Sequence, residues 1–268
     1  MLKSVLTTAV AGTLALAGLA QAATITYDFS GTAGTIPAGW VKGTGDSFAL
    51  DGNGHYVDSM SAGNTGEAID VSIFHVADRQ AGTDFSMSTT FTVTARSISG
   101  TTAGWNMAPS LRFLAWSGTD DTATGRSYYV LSLTQNNAGS FISIGKAGTG
   151  ALAANETDFA QAIPVLNTAY TLSVSGTYLT GVDAGKLKMD YSLTSGATTI
   201  ATGSVTDANP LTGEYYGLRQ RAKNFGDGTI SQTTSFDQVD LTYSQVPEPG
   251  TLSLMGMAGL YLLRRRRR

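Results

Sequence analysis

Residues 85–94 read Phe-Ser-Met-Ser-Thr-Thr-Phe-Thr-Val-Thr. In an extended chain successive side chains point to opposite faces. Phe85, Met87, Thr89, Phe91 and Val93 therefore share one face, and Ser86, Ser88, Thr90, Thr92 and Thr94 share the other. A helix would scatter these residues around its circumference. The stretch can bury its apolar half only as a strand in a sheet with one wet face. The pattern recurs in Tyr170–Val174, Leu187–Leu193 and Val239–Tyr243, each alternating with polar residues. Further strands are expected at 24–29, 111–116, 128–134, 141–145, 199–205 and 215–221, with no long helix-period segment between the termini. About ten strands broken by Gly, Asp and Asn turns predict one all-β domain, an antiparallel β-sandwich, over residues 23–245.

Composition narrows the functions open to this domain. The chain has no cysteine, which excludes disulfides, a Cys metal cluster and a Cys nucleophile. Without Lys3, Glu248 and the five terminal arginines, eleven basic side chains face nineteen acidic ones, a net charge of −8. Such a body repels phosphate backbones, so nucleic acid is not an expected partner.

The two ends read as addresses. Lys3, the apolar run Val5–Leu19 and the small residues Ala20 and Ala22 form a signal peptide over residues 1–22. Signal peptidase is expected to cut after Ala22, so that the mature chain begins at Ala23. At the other end, Pro247-Glu248-Pro249 precedes the uncharged run Gly250–Leu263, then Arg264, Arg265, Arg266, Arg267 and Arg268. As a helix that run reaches about 21 Å, short of about 30 Å of hydrocarbon, so it suits a transient anchor. The arginines keep its far end cytoplasmic. In this order the parts of 246–268 resemble the PEP-CTERM sorting signal of Gram-negative bacteria. That resemblance implies recognition by exosortase, a passing stay in the inner membrane and delivery to the cell surface or an exopolysaccharide matrix. Both flanking segments are expected to be helical.

Residues 45–58, Gly-Asp-Ser-Phe-Ala-Leu-Asp-Gly-Asn-Gly-His-Tyr-Val-Asp, resemble the early hairpin of concanavalin A-like and laminin-G-like jelly rolls. The order of the later strands, ending in Phe236–Tyr243 beside Thr24–Phe29, is similar to that superfamily's closing strands. The resemblance implies a fold shared by lectins, glucanases and adhesive modules, so it leaves function open.

Candidate sites follow from residue chemistry. Asp51 and Asn53, and the pair Asp120 and Asp121, offer hard oxygens that suit Ca²⁺, the one cofactor expected here. Asp51-Gly52-Asn53-Gly54 is equally the chemistry of a tight turn. His55 and His75 show no zinc spacing, and His75 with Asp78 lacks a nucleophile elbow. Glucanases of the resembled fold carry their acids as Glu-x-Asp-x-x-Glu on one strand. Here Glu67, Glu156 and Glu214 each lack an acid two residues away. The expectation is a non-enzymatic surface or matrix protein with polysaccharide as its ligand; a hydrolase with another acid pair and a purely structural matrix protein are the alternatives. For a sugar platform the expected groups are Trp105 and Asn106 in a Gly-rich loop, Tyr129 and Tyr216 from paired tyrosines, and Arg219.

Overall fold

The computed structural model describes residues 21–246 except 101–102, 121–124, 149–151, 153–154 and 160–162. Ala20, the helices expected at either end, and the motif residues 247–249 and 264–268 lie outside the described residues. Ala22–Gln245 forms one compact unit. Its strands are β1 (Gln21–Tyr27), β2 (Trp40–Lys42), β3 (Ala49–Leu50), β4 (Tyr56–Ala62), β5 (Glu67–His75), β6 (Phe85–Ser99), β7 (Trp105–Ala115) and β8 (Tyr128–Asn136). They continue as β9 (Ser140–Ala147), β10 (Thr157–Phe159), β11 (Ala169–Tyr178), β12 (Leu187–Ser195), β13 (Thr198–Asp207), β14 (Tyr215–Asn224) and β15 (Thr229–Gln245).

Two antiparallel sheets result. The eight-stranded sheet runs β13-β12-β11-β6-β15-β4-β3, with β1 also pairing β15, and the seven-stranded sheet runs β10-β9-β8-β7-β14-β5-β2. The pairing of first and last strands is as the sequence predicts. Thr26 donates to Asp240 at 2.7 Å and the Thr24 and Thr242 hydroxyls meet at 3.1 Å.

Two strands escape the alternation. β5 is buried on both faces from Val71 to Phe74, Val71 and Ile73 on one and Ser72 and Phe74 on the other, so neither face is wet and the alternation is lost. The first half of β7 contains Pro109, which has no N–H to give a ladder. The β7–β8 pairing is interrupted there, between Met107↔Gln135 and Ser110↔Ser132, while β14 keeps pairing on the other side.

The inward stripes meet in a large apolar cluster that includes Tyr56, Phe74, Phe91, Leu111, Leu131, Leu218 and Phe236. A smaller cluster gathers Met60, Ala62, Trp105, Met107, Ala222 and Ile230. Between them the register places polar residues on both sheets: Asp58, Gln232 and Thr234 on one, Ser72 and Gln220 on the other, all at most 2% exposed. This belt is bonded within itself and across the gap. Tyr56 and Ser72 share a hydrogen bond of 2.8 Å, Gln220 Nε2 donates to Gln232 O, and Gln232 Nε2 donates to Thr234 Oγ1.

With no disulfide available, one buried ion pair ties the sheets. Lys146 of β9 lies 2.6 Å from Asp207 at the end of β13, and their side chains are 0% and 4% exposed. Tyr129 of β8 donates to the same carboxylate at 2.5 Å. Burial pushes the Asp207 carboxyl up, but the Lys146 ammonium and the Tyr129 hydroxyl outweigh it and hold it below the usual range. Removing one partner leaves a buried charge uncompensated. Asp207→Ala is therefore expected to cost about 3–5 kcal/mol in denaturant unfolding, and adding Lys146→Met should restore most of it. A loss under about 1 kcal/mol would show that the pair acts as an exposed one does.

Candidate functional site

The seven-stranded sheet turns its polar side outward, but much of that side is covered. Arg112 points out of β7 and is fully buried, its Nη2 donating to Gly118 O at 2.9 Å. Tyr128 lies 4.2 Å beneath the Arg112 guanidinium and is 6% exposed. The segment after β7 thus folds over the middle of the face.

Beyond this cover the face opens into a cleft of about 550 Å³ lined by Gly43, Thr44, Asp46, Glu67, Ile69, Thr119 and Asp120. Three carboxylates line it, and their surroundings differ. Glu67 begins β5 and faces β14 across the ladder, where Arg221 Nε donates to Oε1 at 2.5 Å and Lys223 Nζ lies 3.4 Å from Oε2. Burial acts to raise its pKa, but the two cations hold it below the usual range. Asp46 caps the edge of β5 where β2 leaves it, its Oδ2 accepting from Gly43 N at 3.0 Å and Val71 N at 2.7 Å. Burial, with Asp70 nearby, pushes its carboxyl up despite those donors.

Behind the cleft, Ser47 links two further aspartates. Its hydroxyl is 2.6 Å from Asp58 Oδ1 and 3.0 Å from Asp70 Oδ2, and its N–H donates to Asp70 Oδ2 at 2.8 Å. Asp58 is wholly buried. Burial first, then the Asp70 charge and a hydrogen bond with Asp70, push its carboxyl well above the ordinary range.

At the other end of β5, His75 stacks on Tyr215 at 4.6 Å, and its Nε2 meets Glu214 Oε2 at 3.0 Å. A larger depression of about 730 Å³ lies on the outer face of the eight-stranded sheet. Short hydroxyl side chains dominate it. Its carboxylates are bonded locally, Asp190 to Lys188 and Asp240 to Thr26 and Gln238. Charged groups converge in the cleft instead.

The expected platform is corrected by this geometry. Trp105 opens β7 rather than sitting in a loop, is 9% exposed and packs in the smaller apolar cluster. Tyr129 and Tyr216 are fully buried in the larger one. None of the three can present a ring to a ligand. Arg219 and the half-buried Asn106 do lie on the outer side of the sheet, although Arg219 is 7% exposed. Of the paired tyrosines only Tyr215 is not buried, and it is half-buried. Of the expected metal ligands, Asp51 and Asn53 sit in one turn, apart from Asp120. Asp51 Oδ1 accepts from Asn53 N and His55 N, and Oδ2 meets His55 Nδ1 at 2.7 Å. Burial raises the Asp51 carboxyl, but these bonds prevail and bring it down to about 2. Gly52 and Gly54, at φ of 83° and 92°, complete a turn. Asp120 lines the cleft on the other sheet, and Asp121 lies outside the described residues. Among the described residues no group of three or more Asp, Glu or His side chains is arranged to hold a metal ion. His75 and Asp78 do not form a dyad, since Asp78 accepts from Tyr243 and Gln245.

Comparison with known proteins bears on both the end of the chain and the body. Residues 245–268 match the PEP-CTERM protein-sorting motif. The chain carries a PEP-CTERM tail. That tail implies an exported protein with a C-terminal sorting signal. Among the described residues no helix is long and apolar enough to cross a membrane. No curated protein matches the chain. Basic winged bean lectin, solved with Tn-antigen, superposes with a TM-score of 0.53 at 7% identity, covering 85% of this chain and 100% of the lectin. A protein of unknown function from Shewanella oneidensis MR-1 gives 0.51 at 14% identity over 84% and 87%. An endo-1,3-β-glucanase from Streptomyces sioyaensis gives 0.47 at 14% identity over 84% and 97%. The body of this PEP-CTERM protein has two antiparallel sheets in a lectin-like β-sandwich fold.

Two outcomes follow for its residues. Because the ring is core, Trp105→Ala should lower unfolding stability by about 3–5 kcal/mol and leave any glycan affinity per folded molecule unchanged. Asp58 has a folded pKa above its unfolded value. Its contribution is complete below the ordinary carboxylate value of about 3.9 and is lost as pH rises through the raised one. Asp58→Asn, which keeps the shape of the protonated acid, should melt higher than the parent at neutral pH. The gap should close as pH falls toward about 4, and a gap independent of pH would refute the buried-acid account.

Proposed function

We propose that this is an exported surface or matrix protein, delivered by exosortase through its PEP-CTERM tail, whose sandwich binds carbohydrate without cleaving it. The cleft on the seven-stranded sheet carries this reading. Glu67, held ionised by Arg221 and Lys223, is a fixed acceptor for sugar hydroxyls, with the Gly43–Thr44 backbone and the Thr119 hydroxyl beside it. Asp46 Oδ2 is spent on two backbone N–H groups, which suits positioning better than proton transfer. Recognition would rest on hydrogen bonds, since a body of charge −8 does not attract acidic chains. Cell-surface retention in an exopolysaccharide matrix is the setting the tail suggests.

One observation favours a second reading, hydrolysis. Asp46 and Glu67 line one cleft with pKa values pushed in opposite directions, a pattern that assigns acid and base in glycosidases. The same experiment separates the two. The secreted chain is offered neutral and acidic polysaccharides, with binding and release of reducing ends both measured. Binding without release, weakened about tenfold by Glu67→Gln at unchanged melting temperature, is the expected result. Release abolished by Glu67→Gln or Asp46→Asn would make it an enzyme. No binding to any polysaccharide would leave the purely structural role.

A further inference from the structure

β6 begins at Phe85, opposite Tyr243, so its ladder with β15 stops two residues before β15 ends. The loop between β5 and β6 takes over. Gln80 N donates to Ser244 O at 2.8 Å, and Arg79 forms a bridge with Gln245. Asp78 holds the side chains on either side of this junction. Its Oδ1 accepts from Tyr243 Oη at 2.8 Å and its Oδ2 from Gln245 Nε2 at 2.5 Å. The loop is itself braced, because Arg79, 2% exposed, donates to Thr83 O at 2.9 Å and Thr83 Oγ1 donates to Gln80 O at 2.7 Å.

The match to the sorting motif starts at Gln245, the residue this loop holds, and only Val246 separates Gln245 from Pro247 in the sequence. A peptidase or transpeptidase that cuts near such a motif takes the backbone extended and unpaired on both sides of the scissile bond. Gln245 cannot donate to Asp78 and pair with Arg79 while it lies in an enzyme's groove. Closure of the loop and engagement by the enzyme therefore exclude each other.

We propose that residues 78–80 form a clasp that competes with the sorting enzyme for the start of the motif, so that tail removal draws on molecules in which the clasp is open. This rests on reading the tail as a processed sorting signal. An equilibrium of this kind lowers apparent affinity by the fraction open. Local opening of a chain end is the low-energy kind of opening that folded domains sample. Asp78 is thus a positioning residue, acting on the enzyme's substrate through Gln245 and Tyr243.

The test uses the full chain in a host that processes PEP-CTERM proteins, following tail removal by pulse-chase and intact mass. Asp78→Ala, which removes two hydrogen bonds, should speed removal on the order of tenfold, and Tyr243→Phe, which removes one and keeps the ring, by about threefold. Four Gly and Ser residues inserted after Gln245 should speed removal in the parent and abolish the difference between parent and Asp78→Ala. A structural defect in the body would not produce that loss of sensitivity. Should Asp78→Ala fail to fold, Tyr243→Phe and the insertion decide alone. Removal at the parental rate or slower in all folded variants overturns the clasp. A parent chain that keeps its tail in this host overturns the sorting reading, and the clasp with it.

Discussion

The antiparallel pairing of β15 is the interaction on which the rest of this protein depends. β15 pairs with β6 from Thr229 to Tyr243, and its other edge takes β4 and then β1, so one strand closes the eight-stranded sheet. It supplies Phe236, Val239, Leu241 and Tyr243 to the apolar core, then Gln232 and Thr234 to the polar belt. Its end is also where the sorting motif begins. In a chain with no cysteine the sheets are joined by burial and by the Lys146–Asp207 pair, so long, continuous pairing of this kind has no covalent substitute.

The fold was legible where one face is wet. β6, β11, β12 and the last part of β15 alternate cleanly, because sheet geometry itself has period two. It was illegible where both faces are covered, as in β5, and where a proline interrupts a ladder on one side only, as at Pro109. The same limit explains the sites. Gly104-Trp105-Asn106 reads as a loop, yet the apolar cluster of Met60, Met107 and Ile230 gives that indole an interior. Asp46 and Glu67 stand twenty-one positions apart in the chain, and only the departure of β2 from the edge of β5 brings both to one cleft. A through-space arrangement of this sort has no local signature. The tail was legible because it is linear.

The electrostatics of the cleft set what it can do. Glu67 is charged and pinned, while Asp46 is pushed toward its neutral form by burial that two backbone donors only partly offset. Those donors and the Arg221 and Lys223 pair fix both carboxyls in place, which is the condition for discriminating one pattern of hydroxyls from another. Recognition by fixed acceptors fits an acidic, exported body better than recognition by charge attraction.

The polar belt has a consequence for which pairings the strands can adopt. Alternation of apolar and polar residues forbids a slip of one position, since that would turn the core face outward, but it is blind to a slip of two. Moving β15 two residues along β4 would set Thr234 opposite Met60 and Gln232 opposite Ala62, leaving Asp58 facing Phe236. The buried carboxyl of Asp58 would then lie against aromatic carbon, and the Gln220 amide would lose the Gln232 carbonyl it donates to. Polar groups stranded in this way cost far more than misplaced methylenes. The belt therefore removes the degeneracy that a purely apolar interior would leave in the pairing of β15 with β4.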